Sequence, residues 1–247
     1  MRCTHVALFM ALLLCIASTA SAVTILGTGT GTLIGGDLTD PENDGAADAN
    51  TNYNATFNAS VEPNFGPNEA AFNVFDNLVG GGDNKWCCDS PGSGPFDSGK
   101  GTNGQWVSAT FSQAYVLTRF TLTSGNDSPE RRATNFFIQG TNDAVSLVAA
   151  GTATYTDIYA HANGQVDNIW SNFDEVARFD GAGVDFATPA GYTTFRYLVT
   201  NVAGGTGQLH QLNEFELFGN PVPEPSTVVL LGLGAVGLIA SRMRRRK

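Results

Sequence analysis

"GQWVSATFSQAYVLTRFTLTSG", residues 104–125, decides how this chain folds. Apolar side chains recur at every second position, with Val107, Ala109 and Phe111 on one side, then Val116, Thr118, Phe120 and Leu122, while Gln, Ser and Thr fall opposite. A period of two is the mark of a strand with one buried face. Three shorter runs rich in aromatic and branched residues read the same way: "NFFIQG" (135–140), "TFRYLVTNV" (194–202) and "NEFELFG" (213–219). No run of helical period exceeds two turns. Short strands separated by Gly and Asn-Asp turns predict an all-β fold, an antiparallel β-sandwich in which each sheet buries one face.

Both ends of the chain read as addresses rather than as fold. Arg2 and His5 precede the apolar stretch "VALFMALLLCIA" (6–17), and Ala20-Ser21-Ala22 supplies the small-x-small pattern that signal peptidase cleaves. A signal peptide is therefore expected over residues 1–22, with the mature chain starting at Val23. Residues 23–56 are rich in Gly, Thr, Asp and Asn without sustained periodicity and read as a loop-rich lead-in, followed by a sandwich domain over 57–219. Within the lead-in, "DPENDGAADANT" (40–51) spaces Asp40, Glu42, Asp44, Gly45 and Asp48 like a calcium loop, but Thr51 stands where the bidentate Glu belongs. A solvated acidic turn is the competing reading.

The C-terminal segment, 220–247, holds an uncharged run of 13 residues from Val228 to Ala240. As a helix it reaches roughly 20 Å, short of the roughly 30 Å of a bilayer core, which argues against a plain single-span anchor. Pro223-Glu224-Pro225, then this apolar run, then Arg242, Arg244, Arg245 and Arg246 at the terminus resemble the PEP-CTERM sorting tail of Gram-negative bacteria. That resemblance implies processing by a membrane peptidase, an exosortase, in cells that secrete exopolysaccharide. It also implies transient membrane association through the tail and a destination in the cell envelope or outside the cell.

Without the two addresses, residues 23–220 hold seven Lys and Arg against 22 Asp and Glu, a net charge of −15. Such a surface repels nucleic acid and anionic membranes and favours cations and neutral polymers. Cys3 and Cys15 leave with the signal peptide, so Cys87 and Cys88 remain, adjacent in "NKWCCDSPG". Neighbouring Cα atoms lie about 3.8 Å apart across a trans peptide, below the usual disulfide range. A strained vicinal disulfide and free or intermolecularly linked thiols both stay open, in a compartment that disfavours exposed free thiols.

The order of segments in the domain carries a second resemblance. "AFNVFDNLVGGGDNKW", "GQWVSATFSQAYVLTRFTL", "SPERRATNFFIQGTND" and "FRYLVTNVAGGTGQLHQLNEFELFG" together resemble the galactose-binding-like jelly roll of discoidin, or coagulation-factor type C, domains over residues 57–219. That family often holds one structural Ca²⁺ between an early aspartate and a late glutamate, with backbone carbonyls completing the shell. By motif these are Asp76 in "VFDN" and Glu214 in "NEFELFG", hard oxygen ligands suited to calcium. The sequence departs from the family at Lys85, where a small hydroxyl residue is usual before the tryptophan, and this brings a positive charge toward the expected cation.

An exposed aromatic face is what a sugar ring stacks on. Of the three tryptophans, Trp106 reads as core and Trp86 as the family's core-edge residue, while Trp170 lies in the long stretch "YTDIYAHANGQVDNIWSNFDEV". Trp86, Tyr155, His161 and Trp170 are the candidate glycan contacts, with packing as the alternative for each. Catalytic motifs are missing: neither a nucleophile elbow nor a zinc-binding His-Glu-x-x-His occurs, and Glu214 and Glu216 on one strand face read as solvated. The function expected is an exported, non-catalytic surface or matrix protein whose sandwich binds carbohydrate or exopolysaccharide. A ligand-free structural protein of the envelope and an accessory domain of a polysaccharide-degrading activity are the alternatives.

Overall fold

A computed structural model describes residues 23–40, 53–62, 69–81, 84–88, 104–162, 169–205 and 209–223. The signal-peptide expectation, the acidic segment 41–52 and the sorting residues Glu224, Pro225, Arg242, Arg244, Arg245 and Arg246 lie outside them. The opening stretch is the strand that organises the rest. Gln105–Ser124 form β4, after β1 (Thr24–Thr28), β2 (Ala55–Ala59) and β3 (Trp86–Cys88). The chain continues through β5 (Ala133–Thr141), a short helix α1 (Val145–Ala150), β6 (Thr156–Ala162), β7 (Glu175–Asp180), β8 (Gly191–Val202), β9 (His210–Glu214) and β10 (Leu217–Pro221).

All recorded pairings are antiparallel. The first half of β4 sits between β2 (Ala59↔Val107) and β8 (Trp106↔Leu198), and β8 continues to β5 and β6. Its second half pairs with β7, β10 and β9, and β7 carries β1. Between the halves four residues of β4 face one of β8, because pairing jumps from Thr110↔Thr194 to Tyr115↔Tyr192. That interruption lets one strand serve both layers, so a single ten-stranded sheet curls into the expected sandwich.

Val107, Ala109 and Phe111 point into the core, as the alternation predicts. The second half departs from the expectation: Thr118 is exposed while Leu117, Phe120 and Leu122 are buried. The register of β4 on β10 shifts between Arg119↔Phe218 and Leu117↔Gly219, and the extra residue turns Thr118 outward. Between the layers, Phe120 stacks on Phe179 at 4.5 Å and Phe57 on Phe75 at 4.3 Å, with Phe136, Tyr197 and Phe215 filling between. The lead-in is less loose than its composition suggests, since "TILGT" adds an edge strand to β7. No helix among the described residues is long and apolar enough to cross a membrane.

Candidate functional site

Asp76 closes the 3-10 turn Ala71–Phe75, and Glu214 ends β9. A backbone bond from Phe215 N to Val74 O, 2.7 Å, ties those two segments together and brings both carboxylates inside. Asp76 accepts from Leu78 N at 2.9 Å. Glu214 Oε1 accepts from Phe215 N at 3.2 Å, while its buried Oε2 has no hydrogen-bond partner. Burial, then repulsion from Asp76, Asp37 and Glu216, pushes the Glu214 carboxyl well above the usual range.

Two further acids surround this pair. Asp37 accepts from Thr39 N (2.6 Å), Thr39 Oγ1 (2.8 Å) and Asp40 N (2.9 Å), yet burial still pushes it up to about 7. Glu216 accepts from Gly35 N and Thr121 Oγ1, both at 2.6 Å, and from Ile34 N at 3.2 Å. Glu216 is fully buried, as is Glu214, against the expectation of a solvated pair. The segment between β9 and β10 folds inward under residues 34–40, which sequence periodicity does not reveal.

Lys85 takes no part in this acidic pocket. Its Nζ reaches Asn126 Oδ1 at 2.8 Å, Asp127 Oδ2 at 3.3 Å and Glu69 Oε1 at 3.6 Å, so the charge expected to intrude on the cation is spent elsewhere. The donors left around Glu214 are all oxygens, and one is an orphaned buried carboxylate oxygen, which fits a hard cation such as Ca²⁺. Among the described residues no three His, Cys, Asp or Glu side chains are grouped as a metal set, so a cation here would rest on Asp76, Glu214 and backbone carbonyls.

The four candidate glycan contacts do not converge on a surface. Trp86 is fully buried, its Nε1 donating to Val61 O at 3.2 Å. Trp170, expected in an exposed loop, is only 2% exposed; it donates to Leu122 O at 3.3 Å and lies parallel to Phe136, 6.4 Å between centroids. Its ring is core and offers no face to a sugar. His161 is half-buried and stacked on Phe136 at 5.0 Å. Tyr155 is half-buried beneath the Arg196 guanidinium, 3.6 Å from its ring, and its hydroxyl is pushed up by burial.

Among the described residues, the aromatic that faces solvent is Phe173, 41% exposed, three residues beyond Trp170. The Arg132 guanidinium sits over its ring at 5.0 Å and donates to Trp170 O at 3.1 Å. Glu175 rigidifies the loop by accepting from Ser171 N (2.6 Å), Asn172 N (3.2 Å) and Asn172 Nδ2 (2.8 Å). A bond from Ser124 Oγ to Asn172 O, 2.9 Å, fixes it at the end where β4 finishes and β7 begins. A fixed, partly exposed ring offers a stacking face, while the Arg132 guanidinium that holds it is itself buried.

Cys87 is a buried free thiol, pushed up to about 11 by burial and then by the charge of Glu69. Cys87 and Cys88 are consecutive in β3, whose register pairs Cys87↔Gln211 and Cys88↔His210.

Compared with known proteins, residues 221–246 match the family model described as the PEP-CTERM protein-sorting motif. No curated protein matches the chain in sequence. Similar solved structures include the family 32 carbohydrate-binding module of NanJ from C. perfringens, in complex with galactose, at 14% identity and a TM-score of 0.43 over 66% of this chain and 93% of that one. A fucolectin from Morone saxatilis serum is 16% identical with a TM-score of 0.47, covering 70% and 49%. Chitosan-binding module 1 of a chitosanase/glucanase from Paenibacillus sp. IK-5 is 23% identical with a TM-score of 0.40, covering 67% and 96%. The chain thus pairs an antiparallel β-sandwich with a sorting tail, and that tail is a PEP-CTERM motif.

Proposed function

We infer that this chain is an exported, non-catalytic surface or matrix protein whose sandwich binds carbohydrate, with the cell's own exopolysaccharide as the favoured ligand and an exosortase-type peptidase as its processing partner. The sorting motif at 221–246 supports export. The binding half rests on Phe173, an exposed ring held by Arg132 and a Glu175-pinned loop. A net charge of −15 over residues 23–220 makes a neutral glycan the better fit.

Sugar–aromatic stacking of this kind is lost when the ring is removed, and a surface loop residue contributes little to the core. A glycan array on residues 23–220 followed by calorimetry should therefore find a binding sugar whose affinity falls at least about tenfold in Phe173→Ala, roughly 1.4 kcal/mol, with an unchanged melt. A folded domain that binds nothing on the array would favour the structural alternative.

Calcium between Asp76 and Glu214 is the cofactor this reading includes. A cation that binds only the folded state stabilises it by about 2.7 kcal/mol at a hundredfold excess over Kd. The melting temperature should rise with calcium over chelator, and Glu214→Gln should erase the difference. Protons compete for Glu214 and Asp37, whose carboxyls are raised, so the calcium effect should be larger at pH 8 than at pH 5. Identical melts in calcium and chelator at pH 8 would remove the cation.

A further inference from the structure

Lys85 precedes β3 and Asn126 follows β4, 41 residues later, yet Lys85 Nζ lies 2.8 Å from Asn126 Oδ1. The lysine side chain is 4% exposed. Two carboxylates accompany it: Glu69 at 3.6 Å, 18% exposed, and Asp127 at 3.3 Å, 53% exposed. Asp127 is also engaged by Arg131 at 3.5 Å, which leaves Glu69 as the more enclosed proton acceptor. Asn126 Nδ2 donates to Gly81 O, so the carboxamide is held with its oxygen toward the amine and its nitrogen turned away.

A primary amine pressed against a carboxamide, with a carboxylate beside it and little water, has the parts needed for acyl transfer: a nucleophile, an electrophilic carbon one bond from the contact atom, and a group to move protons. We propose that Lys85 and Asn126 condense to an intramolecular isopeptide bond. Glu69 takes a proton from the Lys85 ammonium, and the freed electron pair of Nζ attacks Asn126 Cγ. Glu69 then delivers that proton to Nδ2, the Cγ–Nδ2 bond breaks to release ammonia, and a second Nζ proton passes through Glu69 to that ammonia, leaving the neutral Nζ–Cγ amide. Nζ keeps one of its three hydrogens; the other two leave with Nδ2 and its own two as ammonium. No oxidant or reductant is consumed. The product ties the segment before β3 to the β4–β5 connection.

The test is high-resolution mass spectrometry with a tryptic map of the full purified chain. The folded protein should be lighter than its sequence by the mass of ammonia, about 17 Da. Trypsin should fail to cut after Lys85, and a branched peptide should join it to the peptide carrying Asn126. Lys85→Arg, Asn126→Ala and Glu69→Gln should each return the unmodified mass, with near-ultraviolet circular dichroism confirming that at least one of them is folded. Ready cleavage after Lys85 with full mass in folded wild-type protein overturns the proposal. So does loss of water, about 18 Da, which would make Asp127 the acceptor.

Discussion

Trp170→Ala should destabilise the domain by about 3–5 kcal/mol, the range for emptying a buried tryptophan site. That is a large share of the roughly 5–15 kcal/mol that a domain of this size commands. The ring is walled by Phe136, and its Nε1 holds Leu122 O, a carbonyl in the middle of the second half of β4. Removing it leaves a cavity and loses that bond together, while Arg132, which donates to Trp170 O through the backbone, keeps its anchor. Denaturant titration measures the loss as a lower midpoint at constant slope. A change below about 1 kcal/mol would return Trp170 to the surface and restore it as a sugar platform.

The second large effect is on acid stability, through His210. Its Nδ1 faces Arg131 O at 3.0 Å and its Nε2 faces Tyr197 OH at 3.1 Å, an arrangement in which the imidazole donates on one side and accepts on the other. Burial lowers it from 6.5 to about 4. The unfolded state therefore binds the proton first, and the histidine's contribution to stability is complete above pH 6.5 and lost as pH falls to about 4. A shift of that size corresponds to about 3 kcal/mol. Asp37 works in the opposite direction, since its raised carboxyl binds a proton more tightly folded than unfolded and gains stability as pH falls from about 7. A bare stability curve mixes the two, so the histidine is read by nuclear magnetic resonance titration of its ring nitrogens. A midpoint near 6.5 in the folded protein would place the ring in water and cancel the effect.

Much of the fold can be read from residue order because a strand with one buried face writes itself as alternation. Val107, Ala109 and Phe111 lie in the core as that rule expects, although Trp106, Ser108 and Thr110 on the opposite face are buried too, and the breakdown at Thr118 follows from a register shift set by β10, about a hundred residues away. The strand β1 escapes notice since "TILGT" is short and lies at an edge, where neither face demands a pattern. The site is less legible for the same reason. Trp170 and Phe173 are three apart in one irregular loop, and only the fold determines which is swallowed and which is shown. Asp76 and Glu214 enter as candidates through resemblance alone, and Asp37 and Glu216 lie with them through backbone contacts of residues 34–40 that no local pattern encodes.

The last strand of the sheet has a consequence for timing. β10 ends at Pro221, Val222 N still bonds to Ala114 O at 2.8 Å, and the uncharged run begins at Val228. On the proposed reading of export from the N-terminus, β4 waits for β10 until Leu217–Pro221 have crossed. Five residues, 223–227, then separate that last bond from the apolar segment, at most about 20 Å of extended chain. On the proposed reading, a peptidase cleaving there would meet its substrate on a tether too short for the sandwich to drift, so that the folded body would limit the side from which the cleavage point can be approached.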